Sequence, residues 1–411
     1  MTVSRSLRDA ARPFSPSAVT DLLPPRTRVL ALGEPTHGVE AFLDLRNELF
    51  RHLVTERGYR SVAVESDCLA ALAVDAYVGG ATDGELDDVV REGFGHGFGE
   101  FAGNRELVRW MREFNSGLGE GEERLRFYGA DGPLEMTGAA APGPPLTRLR
   151  DFLGEHLPVE LLPLEDELPR LCGPDDRWTD PAAAFDPGRS VGRSADAVRL
   201  RLMADELAVL LAAHGPQFAA EADPEAYWRA QLDARTATGL LRYHAAMADT
   251  GPDRFNSLMR HRGLMMADNL EAITRREARR GPTLAYAHNR HLQREAGHLP
   301  LGTHHLRWWT TGSLLATRFG EGYAFLATTF GHRAPDDHPD PATFEGHLAT
   351  LPEACLVLDP RVLAETPAGR AKPRVPADHT YFGIDPGALG LMDGVLFVRE
   401  IPRQVGAFGG G

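Results

Sequence analysis

Lysine is almost absent from this chain, because Lys372 is the only lysine among 44 basic residues. A Schiff base between a lysine side chain and a carbonyl substrate can therefore form at no other position. Cysteine is scarce too: Cys68, Cys172 and Cys355 lie far apart and in no CxxC spacing. Neither a disulfide framework nor a thiolate zinc site is expected from this pattern.

Long apolar runs and clusters of basic charge are also missing. The sequence has no run of about 18 apolar residues, and its first residues lack the apolar segment of a secretory signal. We therefore expect a cytoplasmic protein without a membrane span. The formal net charge of −14 repels phosphate groups, and no group of basic side chains offsets it locally. Nucleic acids and membranes are therefore not expected as partners.

Short apolar runs alternate with helical patterns in both the first and the last third of the chain, which is typical of βαβ units in a parallel sheet. The predicted strands are residues 28–32, 61–65, 125–129, 283–288, 323–328, 354–358 and 394–398. We predict an α/β protein with a mostly parallel central sheet and flanking helices, whose catalytic core is formed by residues 1–140 and 281–411. Residues 141–280 are predicted to be a large helical insertion that forms a lid over the C-terminal strand edge.

Residues 33–38, with the sequence Gly-Glu-Pro-Thr-His-Gly, follow directly on the first predicted strand. They place a carboxylate, Glu34, and an imidazole, His37, three residues apart where a buried strand ends and an amphipathic helix begins. Open α/β sheets bind their ligands at this end of the strands. This segment is therefore a candidate site.

Polar side chains also stand at the ends of three other predicted strands. Glu65 ends the second strand, Asp131 follows the third, and His288 ends the fourth, with His291 three residues further on. Because the C-terminal ends of parallel strands lie at one edge of the sheet, we expect these side chains to share one crevice.

Arg46 lies within an apolar stripe that runs from Phe42 to Leu53 at helical spacing. A guanidinium directed at a core needs a partner, because an unpaired buried charge costs several kcal/mol. Glu34 and Glu65 are the expected partners. The alternative is that the Arg46 side chain reaches the surface and only its stem covers apolar area.

Taken in order along the chain, these segments resemble the erythromycin esterase family over about residues 28 to 400. The matching segments are residues 33–38, the helix with Arg46, and residues 64–65, 110–115, 127–131, 287–291 and 393–398. Members of this family are α/β proteins with a helical insertion that hydrolyse macrolactone esters. The resemblance implies a hydrolase of this type, acting on an ester or macrolactone.

The resemblance also implies a role for each catalytic residue. His37 would act as the general base that activates water, with Glu34 and Glu65 as orienting carboxylates. Arg46 and His288 would contact the attacked carbonyl. These roles are chemically sound, because a histidine held by a carboxylate can take a proton from water near neutral pH. The residues expected to bind substrate are His291, Asp131, Asn289, Arg262 and Phe98.

Some departures from the family pattern affect the pocket and leave the acid–base residues intact. Arg262 is followed by Gly263 where many members have Asp, and Arg290 stands between Asn289 and His291 where small residues are common. The substrate is therefore not fixed as an antibiotic macrolactone. We expect a small-molecule substrate that is large and partly apolar.

Two other functions remain open from the sequence. One is a non-hydrolytic acid–base enzyme, such as a cyclase, dehydratase or isomerase of a natural-product intermediate. The other is a haem- or metal-binding module of the same fold. We expect no cofactor, but a bound metal would be held by His37, Glu65 and His288, because histidine and carboxylate ligands suit zinc or iron.

Overall fold

The computed structural model describes residues 6–135, 138–163, 166–301, 304–333, 337–375 and 381–402. The strands are β1 (Ala11–Pro13), β2 (Val29–Glu34), β3 (Ser61–Asp67), β4 (Arg126–Asp131), β5 (Leu134–Glu135), β6 (Gly138–Ala139), β7 (Thr283–His288), β8 (Gly297–Leu301), β9 (His304–Trp308), β10 (Tyr323–Arg333), β11 (Cys355–Leu358) and β12 (Gly394–Ile401). The pairs β5–β6 and β8–β9 are two-stranded sheets, and the other eight strands form one sheet.

The eight-stranded sheet has the order β1-β11-β12-β10-β2-β7-β3-β4. The successive strands β12, β10, β2, β7 and β3 are parallel to one another, whereas β11 is antiparallel to β12 and β1 is antiparallel to β11. The prediction of an α/β fold with a mostly parallel sheet is therefore confirmed. All seven predicted strands are present, and β1 is the additional one. Pro13 is tolerated in β1 because this strand lies at the edge of the sheet.

The two central strands β2 and β7 are buried along their whole length. Such strands read as continuous apolar runs because helices cover both faces of a parallel sheet. Their register pairs Glu34 with His288, and the register of β3 on β7 pairs Val64 with Tyr286. The ends of β2, β7 and β3 therefore emerge side by side, at the edge where the predicted site residues stand.

The helices fill the connections between the strands. In chain order they are α1 (Leu7–Ala10), α2 (Pro16–Thr20), α3 (Glu40–Arg57), α4 (Ala71–Val78), α5 (Leu86–Gly93), α6 (Ala102–Ser116), α7 (Gly143–His156), α8 (Glu167–Cys172), α9 (Ala195–Ala213), α10 (Gly215–Glu221), α11 (Pro224–Met247), α12 (Arg254–Glu277), α13 (Asn289–Leu292), α14 (Thr311–Phe319), α15 (Phe344–Leu348) and α16 (Pro360–Leu363). Within the described ranges, no helix is both long enough and apolar enough to cross a membrane.

The chain divides into two compact units. The first comprises Met1–Glu65, Ala70–Ala130 and Leu270–Gly411, and it contains the sheet. The second comprises Ser66–Leu69 and Asp131–Asn269. Helices α7, α9 and α11 of the second unit pack on one another around their own apolar core. The boundaries of the helical insertion expected from the sequence, and its action as a lid, stay predictions.

Candidate active site

Glu34 and His37 are in direct contact. Nδ1 of His37 lies 2.6 Å from Oε1 of Glu34, and the other carboxylate oxygen, Oε2, accepts a hydrogen bond of 2.6 Å from the Tyr286 hydroxyl. The Glu34 side chain is 6% exposed, whereas that of His37 is 25% exposed. The carboxylate is therefore fixed from two sides, and it holds an imidazole that solvent can reach.

Glu65 lies between two histidines. Its Oε1 is 3.2 Å from Nε2 of His291 and 3.8 Å from Nε2 of His37. Its Oε2 accepts a hydrogen bond of 2.8 Å from the backbone NH of His288. A distance of 3.8 Å is too long for a direct hydrogen bond, and a water molecule beside this pair of atoms can contact both of them. The site thus has two carboxylate–histidine pairs, Glu34–His37 and Glu65–His291.

His288 has a backbone partner at each ring nitrogen. Its Nδ1 accepts from the NH of Arg290 at 3.0 Å, so its Nε2 carries the proton and donates to the carbonyl oxygen of Pro35 at 3.1 Å. The pKa of His288 is lowered to about 3, mainly by burial and in addition by the neighbouring His37. His288 is therefore a neutral side chain that links residues 33–38 to the start of α13. Its expected contact with an attacked carbonyl stays a prediction.

Arg46 is buried, with only 1% of the residue exposed, which excludes the alternative of a side chain that reaches the surface. Its Nη1 donates to Oδ1 of Asn104 at 2.7 Å, and its Nη2 donates to Oδ1 of Asn47 at 2.8 Å and to the carbonyl oxygen of Gly103 at 3.2 Å. The guanidinium also lies over the ring of Tyr286, 4.8 Å from the ring centre. Burial lowers the pKa of Arg46.

The expected direct pairing of Arg46 with Glu34 or Glu65 is wrong. Neutral oxygens from α3 and from the start of α6 surround the guanidinium, so no carboxylate has to contact it. Tyr286 connects the two residues, because its ring lies over the guanidinium and its hydroxyl donates a hydrogen bond to Glu34. Arg46 thus supports the residue that orients Glu34.

The side chain of Asn289 forms hydrogen bonds with the backbone of strand β10. Its Nδ2 donates to the carbonyl oxygen of Thr328 at 2.8 Å, and its Oδ1 accepts from the NH of the same residue at 3.3 Å. Gly33 is necessary here, because a Cβ at this position would collide with the Asn289 side chain. These bonds tie β10 to the start of α13, and the expected substrate contact of Asn289 stays a prediction.

Phe98 forms one wall of the site. Its ring centre lies 5.0 Å from that of His37, and the ring belongs to a glycine-rich loop, residues 93–99. Phe98 also lines a small cavity together with Glu34 and Glu65. This cavity offers about 20 Å³ to the centre of a water molecule, which is room for about one water. An apolar wall and a space for water therefore adjoin the two carboxylates.

Asp131 and Arg262 pair with each other in the second unit. Oδ2 of Asp131 accepts from Nε of Arg262 at 2.9 Å and from Nη2 at 2.6 Å, and Oδ1 accepts from the NH of Gly132 at 2.8 Å. The carboxylate of Asp131 is completely buried. Contacts of these two residues with substrate stay predictions.

The residues proposed as metal ligands do not fit a metal. Both ring nitrogens of His288 are engaged by backbone groups, which removes one of the three ligands. Among the residues that the structure describes, no group of three His, Cys, Asp or Glu side chains is arranged to hold a metal ion. The three-residue set of His37, Glu65 and His288 is therefore incomplete as a metal site, and the haem- or metal-binding alternative stays a prediction.

Three residues that support the site were not predicted from the sequence. Tyr286 carried a signal, since it precedes His288 by two positions and therefore lies on the same face of β7. No sequence signal indicated Asn47 and Asn104, because the packing of α3 and α6 brings them to Arg46. Their position depends on how two helices pack.

The fold and the site together define an α/β protein that pairs carboxylates with histidines at adjacent strand ends. The chain belongs to the erythromycin esterase family, because the model of that family matches residues 54–387. This range is shorter at both ends than the expected one, and it begins after residues 33–38.

Solved structures with the same fold include three distant relatives. A Bacillus cereus protein has a TM-score of 0.71 at 17% identity, with 98% of both chains covered. A succinoglycan biosynthesis protein has a TM-score of 0.70 at 17% identity, again with 98% of both chains covered. A mutant of the erythromycin esterase EreC in its open conformation has a TM-score of 0.66 at 16% identity, with 94% of both chains covered. At these identities the likeness shows the fold alone.

Proposed function

We propose that this protein hydrolyses an ester or lactone, with His37 as the general base that activates water. The observation that carries the proposal is the Glu34–His37 pair, in which a carboxylate bonds Nδ1 at 2.6 Å and turns Nε2 towards Glu65. A carboxylate in this position fixes the tautomer of the imidazole and stabilises the imidazolium that forms when it takes a proton.

The reaction begins at a water molecule beside Nε2 of His37. His37 takes one proton from this water, and the hydroxide equivalent attacks the carbonyl carbon of the substrate. The carbonyl double bond opens to an oxyanion. When this oxyanion collapses, the bond to the leaving oxygen breaks, and an acid and an alcohol remain.

His291 is suited to protonate the leaving oxygen. Its Nε2 lies 3.2 Å from Oε1 of Glu65, and 13% of its side chain is exposed. A histidine that contacts a carboxylate and is partly accessible can act as a general acid. We assign this role to His291 and not to His288, because backbone groups occupy both nitrogens of His288.

The experiment combines esters with two kinds of leaving group. Wild-type protein and the variants His37→Asn and His291→Gln are incubated with a 4-nitrophenyl ester, with the corresponding ethyl ester and with erythromycin, and products are identified by mass spectrometry. His37→Asn should lower the turnover of every substrate by about 10²- to 10⁴-fold, the usual contribution of a general base. His298→Asn is the matched control, because His298 is an exposed histidine outside the site.

The choice of leaving group distinguishes the role of His37 from that of His291. Nitrophenolate departs without a proton, so His291→Gln should affect the nitrophenyl ester little and the ethyl ester strongly. A His37→Asn variant with wild-type turnover would refute the assignment of the base. A product that gains no water would refute hydrolysis and favour a cyclase or isomerase, and loss of one water would favour a dehydratase.

A further inference from the structure

Arg290 is a cation beside the site that has no anionic partner in the described part of the chain. No carboxylate there lies within salt-bridge distance of its guanidinium, and its Nε is buried without a hydrogen-bond acceptor. Burial lowers the pKa of Arg290, while the carboxylates of Glu295 and Asp385 act on it only from longer range. A guanidinium stays charged in proteins, so a positive charge without a direct anionic contact in the described part of the chain lies here.

Aromatic packing fixes this charge close to the catalytic residues. The guanidinium lies over the ring of Phe382, 4.6 Å from its centre, and the centre of the same ring is 5.6 Å from that of His288, with the two ring planes nearly perpendicular. The ring of His288 is in turn 5.1 Å from that of His37. The backbone NH of Arg290 bonds His288, which anchors the residue at the start of α13. The rings of Phe382 and His288 therefore connect the Arg290 guanidinium to the proposed base, His37.

We infer that Arg290 binds a carboxylate of the substrate, so that this protein acts on esters or lactones that carry a negative charge. The planar fork of a guanidinium matches the two oxygens of a carboxylate, and stacking on an aromatic ring leaves its edge available for them. A phosphate dianion fits less well, because Glu295 and Asp385 repel a second negative charge. This inference rests on the proposed hydrolysis and adds the substrate class.

The test uses two esters that differ in one terminal group. They are 4-nitrophenyl octanoate, which is neutral, and the 4-nitrophenyl monoester of octanedioic acid, which ends in a carboxylate. The ratio of their kcat/KM values is measured for wild type, Arg290→Gln and Arg290→Lys. Arg26→Gln is the control, because Arg26 is an exposed arginine whose side chain is 83% accessible. Thermal unfolding of each variant reports whether it is folded.

We expect Arg290→Gln to lower the preference for the charged ester about 10- to 100-fold, the usual effect of losing charge-assisted hydrogen bonds. The turnover of the neutral ester should change little. Arg290→Lys should restore part of the preference, whereas Arg26→Gln should leave it unchanged. A preference that is the same in wild type and Arg290→Gln would overturn the inference and leave the proposed hydrolysis intact.

A binding measurement keeps the two proposals separate. If wild type cleaves neither ester, the proposed hydrolysis fails, and calorimetry with octanedioate alone then decides about Arg290. Binding to wild type that weakens at least tenfold in Arg290→Gln would support the anion site without any catalysis. Equal affinities, or no binding to wild type, would overturn it.

Discussion

The two hydrogen bonds of Glu34 predict an unusual pair of mutational effects. Glu34→Gln keeps the shape of the side chain but turns one carboxylate oxygen into an NH₂ group. Tyr286 has no other hydrogen-bond acceptor than Glu34 among the described residues. Its hydroxyl therefore selects the orientation of the glutamine amide that offers it the oxygen.

In that orientation the NH₂ group faces Nδ1 of His37 and donates to it. The proton of the neutral imidazole then moves to Nε2, and His37 can no longer take a proton from water. A wrong tautomer of this kind removes most of the catalysis by a general base, about 10²- to 10⁴-fold. The opposite amide orientation would restore the tautomer, but it leaves the buried Tyr286 hydroxyl without an acceptor.

The magnitude of this bias follows from that missing bond. A buried donor without an acceptor costs about 1–3 kcal/mol, which corresponds to a preference of about 5- to 150-fold for the inactive orientation. Tyr286→Phe removes the bias, because the phenylalanine ring keeps the contact with Arg46 and has no hydroxyl. The double variant Glu34→Gln/Tyr286→Phe should therefore be more active than Glu34→Gln alone, by about 3-fold or more.

Two measurements check the prediction. The first is kcat/KM for a 4-nitrophenyl ester in wild type, both single variants and the double variant. The second is the ¹⁵N chemical shift of His37, which reports its tautomer without any substrate. Tyr286→Phe alone should weaken the otherwise intact Glu34–His37 pair only modestly. A double variant that is equal to or less active than Glu34→Gln, with the same His37 tautomer, would refute the reasoning.

Two further predictions concern stability. Arg46→Met should lower the free energy of unfolding by about 2–5 kcal/mol, measured with urea, because it leaves the buried amide oxygens of Asn47 and Asn104 without their donor; an unchanged stability would contradict the network. The pKa of His288 is about 3 in the folded chain against 6.5 for an ordinary histidine, so the unfolded chain binds more protons between these values, and stability falls as the pH drops through this range. His288→Gln should reduce this fall when unfolding is compared at pH 4 and pH 7.

The sheet could be predicted from the sequence because its strands are buried on both faces. Such strands leave uninterrupted apolar runs, and the seven runs that were found all became strands. The edge strand β1, Ala11–Pro13, has only three residues and contains a proline. Its pairing with β11 depends on contacts across more than 300 residues, which no local pattern records.

The types of residue in the site could be predicted, but their pairing could not. Glu34, Glu65 and His288 could be found because each stands at the end of an apolar run, and His291 follows His288 by three residues. Which histidine is exposed depends on the turn after β7, where Nδ1 of His288 caps α13 and directs His291 towards Glu65. From the sequence, the family resemblance gave the contact with the attacked carbonyl to His288, and His291 was expected only to bind substrate.

Glu65 explains why the proposed acid and base come from distant parts of the chain. One of its oxygens fixes the start of α13 through the NH of His288, and the other faces the imidazoles of both His37 and His291. In the proposed reaction, a proton leaves water on one side of this carboxylate and another reaches the leaving oxygen on its other side. A carboxylate in this place thus couples proton removal at the end of β2 to proton delivery at the end of β7.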